Sequence, residues 1–553
     1  MKVIIVGGVA GGASTAARLR RLDESAQIIL LERGGAVSYS NCGLPYYIGG
    51  VVQNRDDLLL QTPQSFWDRF HVEVRIFSEA VSVDPAAKTV RIRRTDSGEA
   101  YTESYDKLVL APGAEPLVPP IPGGSNAYTL RTIEDAARIK EAAAAGGARK
   151  AVVIGGGFIG LEMAENLREA GLDVVVAEGS DQLLPPLDPE MAAIAARELE
   201  RNGIQVLLQN PVKEIRPSGG GYQVLCGSQS LPCDFAVMAI GVRPESTLAV
   251  QSGLKVNARN GIVVDEMLRT SAPDIFAAGD AVEKYHLVSR EPVMLPLAGP
   301  ANRQGRVIAD NLSGMEHPFD GVIGSAVCKL FHVTAACTGL NEKTLKAMDR
   351  PYEKVYLSPS QHVGVYPGAS PITMKLLFSP DGTVLGCQCI GEEGVDKRVD
   401  VISAVIKLRG SVSDLARLEL CYAPPYSSPR DPVNYAGLIA ENVLSGLSPI
   451  KHWHDLAERD QASSILVDVR TQEEYAHGHL EGSINIPVDE LRDRIDSLPR
   501  NRELWIYCQV GLRGYIAQRM VMQLRPDQKV YNLSGGYRLL SIAGLLPEQK
   551  QNQ

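Results

Sequence analysis

The sequence lacks any uninterrupted apolar run near 18 residues, the length a membrane-spanning helix needs. Its nine cysteines show none of the paired spacings of a zinc site, and Cys387 and Cys389 are separated by a single residue. Positive charge is in deficit, with a net charge of −9. These absences predict no membrane span, no bound metal and no nucleic-acid partner, and the scattered cysteines indicate a reducing cytoplasm.

The chain of 553 residues is too long for a single hydrophobic core, so about three to four domains are expected. Its hydrophobic fraction of 44% is ordinary for a globular protein. The N-terminus, MKVIIVGGVAGG, is typical of a strand that enters a tight glycine turn, and it lacks the pattern of a signal peptide.

Residues 2–12 predict a strand, a glycine turn and a helix start, and residues 27–32 predict a second strand that ends on Glu32. In a dinucleotide fingerprint, turn glycines admit the pyrophosphate and an acid after the second strand binds a ribose hydroxyl. Gly7, Gly12 and Glu32 meet these needs, although Val9 replaces the middle glycine. A glycine turn in an ordinary α/β unit remains the alternative.

The same pattern returns at residues 151–160, with all three turn glycines present: Gly155, Gly157 and Gly160. A strand over residues 173–178 then ends on Glu178, eighteen residues after Gly160. Two fingerprints in one chain predict two bound dinucleotides. KLVLAPGA (107–114) lies between the two fingerprints, and TSAPDIFAAGD (270–280) lies after the second. Each predicts a strand that runs into a glycine, as expected where the chain passes from one nucleotide-binding domain to the other.

Cys42 lies in SYSNCGLPYYIGG (38–50), directly after the first fingerprint, and no second cysteine lies within five residues of it. A local dithiol is therefore impossible, so the thiol must pair with a sulfur brought from outside. Ser38 and Asn41 are candidates to orient that substrate by hydrogen bonds, or else serve as turn residues. A buried structural thiol is the alternative for Cys42.

A second candidate thiol, Cys508, begins the loop CQVGLRG (508–514), which leaves an apolar strand at residues 504–507. Successive N–H groups of such a loop form an anion nest, and Arg513 adds positive charge that lowers the thiol pKa. Cys508 is therefore a candidate to attack a sulfane sulfur and carry it as a persulfide.

The first 445 or so residues resemble the flavoprotein disulfide reductases with two dinucleotide-binding domains. SYSNCGLPYYIGG is similar to their single-cysteine branch, which contains coenzyme A disulfide reductase. The resemblance implies that Asp280 binds the ribityl chain of FAD and that a helix beginning near Asn302 faces the flavin. Because Glu178 would repel a 2′-phosphate, NADH is preferred over NADPH.

The resemblance assigns two sets of cofactor residues. FAD would be bound by Gly7, Gly12, Glu32, Asn41, Ala111, Gly113 and Asp280, and the nicotinamide cofactor by Gly155, Gly157, Gly160 and Glu178.

Within residues 321–448, apolar and polar residues alternate in a way that predicts strands, for example at 363–366 and 373–378. A helix is predicted to follow at 396–408. The resemblance implies an interface domain through which two subunits form a homodimer. Its tyrosines would supply protons or hydrogen bonds to the neighbour's active site, and they match Tyr366 and either Tyr422 or Tyr426. Ordinary core or turn tyrosines are the alternative.

The last hundred residues resemble a rhodanese domain. The resemblance is carried by the CQVGLRG loop, by NLSGGY, and by Asp468, Glu474, His477, Gly478, His479, Asn485 and Pro487. The two histidines lack further ligands for a closed metal site, so a structural role is expected. An inactive fold used for docking is the alternative to sulfur transfer.

The expected fold class is α/β, with two Rossmann-like dinucleotide-binding domains, an α+β dimerisation domain and a C-terminal α/β rhodanese domain. The expected boundaries are 1–114 with 241–320 for FAD, 115–240 for NAD, 321–448 for dimerisation and 455–550 for the rhodanese domain.

Coenzyme A carries several phosphates, so its site needs cations, and Arg18 and Arg21 on the first helix are candidates unless they form a solvated charged face. The leading hypothesis is an NADH-dependent flavoenzyme that reduces coenzyme A persulfide or polysulfide, releasing hydrogen sulfide, and also coenzyme A disulfide. An NADH oxidase or peroxidase is an alternative, although the first glycine loop lacks the histidine found in peroxidase relatives. A persulfide sensor is a third hypothesis.

Overall fold

The structure is a computed structural model that describes residues 1–145, 147 and 149–546. The last four residues of the expected rhodanese domain, 547–550, lie outside that part. The chain divides into two compact units. Unit 1 holds Met1–Asp181 and Gly203–Val322, and unit 2 holds Gln182–Asn202 and the described residues from Ile323 onward. Among the described residues, no helix is both long and apolar enough to cross a membrane.

The strands of the described residues are β1 (Lys2–Val6), β2 (Gln27–Leu31), β3 (Glu73–Arg75), β4 (Ser78–Asp84), β5 (Thr89–Arg94), β6 (Ala100–Ser104), β7 (Lys107–Leu110), β8 (Ala114–Pro116), β9 (Tyr128–Thr129), β10 (Lys150–Ile154), β11 (Asp173–Ala177), β12 (Gln205–Leu207), β13 (Val212–Ser218), β14 (Gly221–Cys226), β15 (Gln229–Cys233), β16 (Phe235–Met238), β17 (Val242–Pro244), β18 (Ile275–Ala277), β19 (Lys284–Tyr285), β20 (Pro292–Val293), β21 (Ala326–Leu330), β22 (Val333–Gly339), β23 (Glu353–Leu357), β24 (Thr373–Phe378), β25 (Val384–Gly391), β26 (Ile450–Lys451), β27 (Ser464–Asp468), β28 (Ser483–Asn485), β29 (Glu503–Tyr507) and β30 (Val530–Leu533).

The α-helices are α1 (Ala10–Leu22), α2 (Leu44–Ile48), α3 (Pro63–Phe70), α4 (Ile133–Ala144), α5 (Phe158–Glu169), α6 (Pro189–Arg201), α7 (Thr247–Gln251), α8 (Ala298–Leu312), α9 (Glu342–Ala347), α10 (Val395–Lys407), α11 (Val412–Arg417), α12 (Pro432–Leu444), α13 (Gln472–Ala476), α14 (Leu512–Leu524) and α15 (Gly536–Ala543).

Unit 1 contains two parallel five-stranded sheets, in the orders β18-β7-β1-β2-β3 and β12-β11-β10-β16-β9. Their central strands β1 and β10 are apolar and almost wholly buried, as strands covered on both faces must be. Each central strand runs into a glycine turn and then a helix, so both turns lie at the carboxyl edge of a parallel sheet, where α/β proteins bind ligands.

Unit 2 contains the antiparallel sheet β21-β22-β25-β24-β23 and the parallel sheet β26-β30-β29-β27-β28. Helix α10 packs on β22 and β25, and α14 packs on β29 and β30. The mixture of parallel α/β sheets with one antiparallel α+β layer confirms the predicted fold class.

Two expected elements differ from the structure. Residues 363–366 form turns instead of a strand, because Gly364, Pro367 and Gly368 interrupt the apolar alternation. The helix expected near Asn302 begins four residues earlier, at Ala298. Its first turn includes Pro300, which is tolerated there because the N–H that proline lacks has no partner within the helix.

The core of unit 2 holds a buried ion network around Lys375, whose side chain is 0% exposed. Its Nζ donates to Asp188 at 2.8 Å, to Glu190 at 2.5 Å and to Glu342. These three carboxylates lie close enough together to hold a metal ion, but the ammonium group already bonds to all of them. The network joins α6, α9 and β24. Removing any one partner would leave a buried charge unpaired, which is strongly destabilising.

Candidate functional site

The first glycine turn is built for close backbone contact. Gly7 has φ +96°, and a Cβ there would lie 2.1 Å from the carbonyl oxygen of Ala111. A Cβ on Gly12 would lie 1.9 Å from the oxygen of Gly7, so both positions require glycine. Val9 has φ −106°, so the position of the missing middle glycine does not require the positive φ that favours glycine.

The second turn repeats this geometry. Gly155 has φ +112° and a Cβ there would meet Ala239 O at 2.4 Å, while a Cβ on Gly160 would meet Gly155 O at 2.0 Å. Gly157 instead faces open space. Neither α1 nor α5 has a side-chain cap at its start, so main-chain N–H groups there remain suited to a phosphate.

Each turn faces an acid at the end of the neighbouring strand. Glu32 accepts from the N–H of Gly8 at 3.0 Å, and Glu178 accepts from the N–H of Gly156 at 2.6 Å. Both carboxylates therefore lie beside their turns, at the carboxyl edge of the sheet, as a ribose-binding acid must.

The 3₁₀ turn Gly279–Ala281 follows β18 and carries Asp280. The N–H of Gly279 donates to Gln304 Oε1 at 2.9 Å, while Gln304 Nε2 is buried and has no hydrogen-bond partner among the described residues. Burial raises the pKa of Asp280. An unpaired buried amide, a shielded acid and the uncapped starts of α1 and α8 fit an elongated polar cofactor such as FAD.

A buried lysine supports the same turn. Lys284 Nζ donates to the carbonyl oxygens of Gly279 at 2.7 Å and Val282 at 3.1 Å. Burial lowers the pKa of Lys284 to about 8, although the charge of Asp280 opposes that shift. Sequence reasoning missed both Lys284 and Gln304, because neither belongs to a fingerprint.

Ala111 and Gly113 lie just after β7, near the first turn. Ala111 donates its N–H to Val6 O at 2.8 Å, and Gly113 has φ +77°. Arg131 Nη2 donates to the oxygen of the intervening Pro112 at 2.8 Å. The segment therefore lines the same edge of the sheet as the first glycine turn.

Cys42 lies in the 3₁₀ turn Asn41–Gly43 that leads into α2. Its side chain is exposed at the surface of the single chain, yet neighbouring atoms displace enough water to raise the pKa of the thiol. The carboxylates of Glu162 and Asp280 raise that pKa further. All three influences disfavour the thiolate of Cys42 in the single chain.

Glu162 is a site residue that sequence reasoning missed, although it follows Gly160 by two positions on α5. Burial raises the pKa of Glu162 to about 7, the charge of Glu165 adds to the shift, and a hydrogen bond from Tyr46 opposes it. Tyr46 belongs to the same segment as Cys42. The two predicted motifs are thereby brought together at one place in unit 1.

An arginine-rich cavity of about 330 Å³ adjoins the Cys42 segment. Ser38, which has φ +48° and donates its N–H to Gly8 O at 2.8 Å, lines this cavity. The predicted cations Arg18 and Arg21 also line it. Its other lining residues are Ala13, Ser14, Ala17, Gln61, Phe66, Phe70, Asn302 and Arg306. Asn41 is exposed beside Cys42 and is not among the lining residues.

Arg18 is held by a strong ion pair. Its Nε donates to Asp310 at 2.8 Å, and that carboxylate is 2% exposed. Arg306 lies 3.8 Å from the same carboxylate. Burial raises the pKa of Asp310, but hydrogen bonds from Arg18 and His317 outweigh burial, so the pKa is lowered overall. Asp310 thus holds Arg18 by a hydrogen-bonded ion pair, while the largely exposed Arg306 makes only a longer contact with it. Sequence reasoning missed Arg306, which lies four residues after Asn302 on α8.

The three candidate tyrosines lie in unit 2 and are exposed, Tyr366 by 43%, Tyr422 by 49% and Tyr426 by 70%. Exposed tyrosines with polar tips are typical of surfaces that meet another chain.

The C-terminal site surrounds Cys508, which is 1% exposed and directly follows β29. The N–H of Gly511 donates to Cys508 Sγ at 3.1 Å, and Gly511 has φ +106°. Both terminal nitrogens of Arg513 donate to Glu474 at 2.6 Å. That fork holds the guanidinium beside the loop, where it also interacts with Cys508.

The two histidines of this domain bond to nearby carbonyl groups. His477 Nδ1 lies 2.7 Å from Glu473 O, and His479 Nδ1 lies 3.0 Å from Tyr475 O. His479 also stacks on the ring of Tyr475 at 3.8 Å between centroids.

The profile of the pyridine nucleotide-disulphide oxidoreductase family matches residues 1–304, and that of its dimerisation domain matches residues 325–431. The chain belongs to this family. A rhodanese-like domain profile matches residues 452–542. Membership supports FAD and NAD(H) as cofactors, and the protein is an FAD-dependent oxidoreductase of this family with a C-terminal rhodanese domain.

Two curated relatives span nearly all of the first four fifths of the chain. A protein named NADH oxidase from Methanocaldococcus jannaschii is 36% identical over 452 residues, which cover 81% of this chain and all of that one. Coenzyme A disulfide reductase of Staphylococcus epidermidis is 33% identical over 444 residues, covering 80% of this chain and all of that one.

Two solved structures match nearly the whole chain. Reduced Bacillus anthracis CoADR-RHD is 45% identical with a TM-score of 0.95, covering 98% of each chain. An NAD-dependent persulfide reductase from A. fulgidus is 37% identical with a TM-score of 0.92, covering 98% of this chain and 100% of that one.

Proposed function

We propose that this protein is an NADH-dependent FAD flavoenzyme that reduces coenzyme A persulfide or polysulfide and coenzyme A disulfide through a mixed disulfide on Cys42. The observation that carries the proposal is the arginine-lined cavity that shares Ser38 with the Cys42 segment. Three arginines suit the phosphates of coenzyme A, and the partly exposed Phe70 suits its adenine. The relatives named as coenzyme A disulfide reductase and persulfide reductase support the same substrate class.

We assign residues 1–114 and 241–320 to FAD, residues 115–240 to NADH, residues 321–448 to dimerisation and residues 455–550 to the rhodanese domain. Gly7, Gly12, Glu32, Gln304 and Asp280 would hold FAD, while the second turn and Glu178 would hold NADH. FAD and NADH, when bound, supply the two electrons of the reaction.

The Cys42 thiolate attacks the coenzyme A sulfur of the persulfide, so the S–S bond breaks and hydrosulfide leaves with the electron pair. Cys42 and coenzyme A are then joined by a new S–S bond. With coenzyme A disulfide, the leaving group is one coenzyme A thiolate instead. Two electrons then split the mixed disulfide into the Cys42 thiolate and the coenzyme A thiolate. Overall, coenzyme A persulfide, NADH and one proton give coenzyme A, hydrogen sulfide and NAD⁺.

We assign the tyrosines Tyr366, Tyr422 and Tyr426 to the neighbouring active site in a homodimer. Their hydroxyl groups would donate hydrogen bonds to the departing thiolate or hydrosulfide. Their exposure on unit 2 and the dimerisation-domain match support this assignment.

In the rhodanese domain, the Cys508 thiolate takes the outer sulfur from a persulfide donor, which leaves as a thiolate. The resulting Cys508 persulfide passes that sulfur to coenzyme A thiolate, forming coenzyme A persulfide for Cys42. Gly511 N–H and Arg513 stabilise the negative sulfur. The free cysteines of the chain agree with a reducing cytoplasm as its location.

The proposal is tested by steady-state NADH oxidation with coenzyme A persulfide and disulfide. Cys42→Ser is expected to lose roughly 10³-fold or more in kcat while retaining its flavin spectrum, as loss of a nucleophile does. Cys508→Ser is the matched control, because it should lose sulfur transfer from a donor and keep coenzyme A disulfide reduction. A Cys42→Ser enzyme with unimpaired turnover would refute the assignment, and a coenzyme A adduct on Cys42 in an intact-mass spectrum would support it.

A second candidate function is NADH oxidation by oxygen, which the relative named NADH oxidase favours. It would require Cys42 to cycle through a sulfenic acid. Oxygen uptake that matches NADH oxidation in the absence of any coenzyme A substrate, at a rate equal to sulfur reduction, would support this alternative.

A further inference from the structure

Arg398 on α10 is a buried arginine, 2% exposed, that the proposed chemistry does not use directly. A buried guanidinium is costly unless its donors are satisfied. Its Nη1 donates to Gly394 O at 3.1 Å. Its remaining contacts reach two surface loops that carry the candidate tyrosines, which we name tyrosine loop 1 (residues 361–370) and tyrosine loop 2 (residues 421–431).

The Nη2 atom of Arg398 bonds to both loops at once. It donates to Gln361 O, in tyrosine loop 1, at 2.7 Å. It also donates to Tyr426 O, in tyrosine loop 2, at 3.3 Å. One planar group therefore joins two segments that are separated by fifty residues of sequence.

Asp431 at the end of tyrosine loop 2 holds Arg398 in place. Arg398 Nη2 donates to Asp431 Oδ2 at 2.9 Å, and Ser427 Oγ donates to the same oxygen at 2.7 Å. The other carboxylate oxygen caps α12 by accepting from Val433 N at 3.0 Å. Asp431 thus links the arginine to a helix start.

Direct bonds complete the junction between the loops. Val363 N donates to Ser427 O at 3.2 Å, and Gln361 Oε1 accepts from the N–H groups of His362 at 2.7 Å and Ser370 at 3.3 Å. Tyr366 packs edge-on against His362 at 5.5 Å between ring centroids. Tyr366 and Tyr426 therefore lie in exposed segments that adjoin the buried, hydrogen-bonded residues Gln361, His362 and Ser427.

We propose that Arg398 is a positioning residue whose guanidinium clamps tyrosine loop 1 to tyrosine loop 2, so that their tyrosines act together on the neighbouring subunit's reaction. This inference rests on the proposed function, because it assumes that the tyrosines serve Cys42 chemistry. A lysine could supply the charge at this position, but it lacks the planar fork that reaches both carbonyl groups and Asp431.

The test compares Arg398→Met with Arg409→Gln, an exposed arginine just beyond the same helix. Arg398→Met should lower kcat for coenzyme A disulfide by about tenfold or more, because a small misplacement of reacting groups is costly. Its FAD content, its dimer mass and the rate at which NADH reduces its flavin should stay within about twofold of wild type. The kcat of Arg398→Lys should lie between those of Arg398→Met and wild type, and the kcat of Arg409→Gln should match that of wild type.

A double-mutant cycle distinguishes positioning from general damage. If Arg398 acts through Tyr366, adding Tyr366→Phe to Arg398→Met should cause little further loss of kcat. Fully additive losses, or flavin reduction slowed as much as turnover, would overturn the proposal. If Arg398→Met does not fold, Asp431→Asn keeps the helix cap and removes the paired charge, and the same cycle is run on it.

The outcomes also separate this inference from the proposed function. A wild-type enzyme that reduces neither coenzyme A persulfide nor coenzyme A disulfide would contradict the proposed function. A wild-type enzyme that does so, together with an Arg398→Met variant of parental kcat, would contradict the clamp alone.

Discussion

Glu32 and Glu178 hold equivalent places in the two parallel sheets of unit 1. Each lies one residue beyond its strand, and each accepts a hydrogen bond from the second residue of its own glycine turn, Gly8 at 3.0 Å and Gly156 at 2.6 Å. The second carboxylate oxygen accepts from the residue two positions later, Gly34 at 2.9 Å and Ser180 at 2.7 Å. Two main-chain N–H groups therefore hold each carboxylate beside its own glycine turn.

The charge at Glu178 is expected to set the choice between NADH and NADPH. Glu178→Gln keeps the side chain's shape and an acceptor oxygen but removes the repulsion of a 2′-phosphate. The ratio of kcat/KM for NADPH to that for NADH should rise by about tenfold, equivalent to ~1.4 kcal/mol. Steady-state kinetics with both cofactors measure this ratio.

Glu169→Gln is the control for this change, because it removes an exposed charge at the end of α5, away from the turn. An unchanged ratio in Glu178→Gln, or an equal change in Glu169→Gln, would show that Glu178 does not discriminate between the cofactors.

We expect the negative charge of Glu162 to keep the pKa of the Cys42 thiol raised. Its carboxylate raises the pKa of the thiol, and its own pKa is raised to about 7. Glu162→Gln removes this negative charge, so the pKa of Cys42 should fall, most clearly above pH 7, where Glu162 is ionised. Because burial is the first cause of the raised thiol pKa and remains, the fall should be partial.

The measurement is the pH dependence of Cys42 alkylation by iodoacetamide in the NADH-reduced holoenzyme, with the modified residue identified by mass spectrometry. The midpoint should move to lower pH in Glu162→Gln. A midpoint that stays in place or moves upward would contradict the electrostatic account. Glu169→Gln again serves as the exposed control on the same helix.

The arginines at the cavity are expected to bind coenzyme A groups without taking part in the chemistry. Arg21→Ala and Arg306→Ala should each raise KM for coenzyme A disulfide by about tenfold at low salt and leave kcat nearly unchanged, because such contacts are made equally in ground and transition states. The effect should shrink as ionic strength rises.

Arg69→Ala is the matched control, since Arg69 is exposed on α3 between two cavity phenylalanines but does not line the cavity. A loss of kcat with unchanged KM in the Arg21 and Arg306 variants would show that the cavity does not bind this substrate.

Much of the nucleotide-binding architecture could be predicted from sequence, because it depends on local chemistry. The close approaches at Gly7 and Gly155 permit no side chain, and the strands before them are continuous apolar runs. Residues 363–366 were predicted wrongly as a strand, because apolar alternation over four residues does not outweigh the neighbouring Gly364, Pro367 and Gly368. Arg306, Gln304 and Lys284 carry no local pattern, so only packing revealed them.

The sequence by itself determined the order of the domains, the isolated thiol at Cys42 and the glycine-containing loop that begins at Cys508, because these are properties of neighbouring residues. Tertiary structure decided which distant charges act on them. Glu162 reaches Cys42, Asp310 fixes Arg18, and Glu474 holds Arg513 only after the chain folds. The physical reason is that pKa values and ion pairs depend on distance and burial in space, which spacing along the chain does not encode.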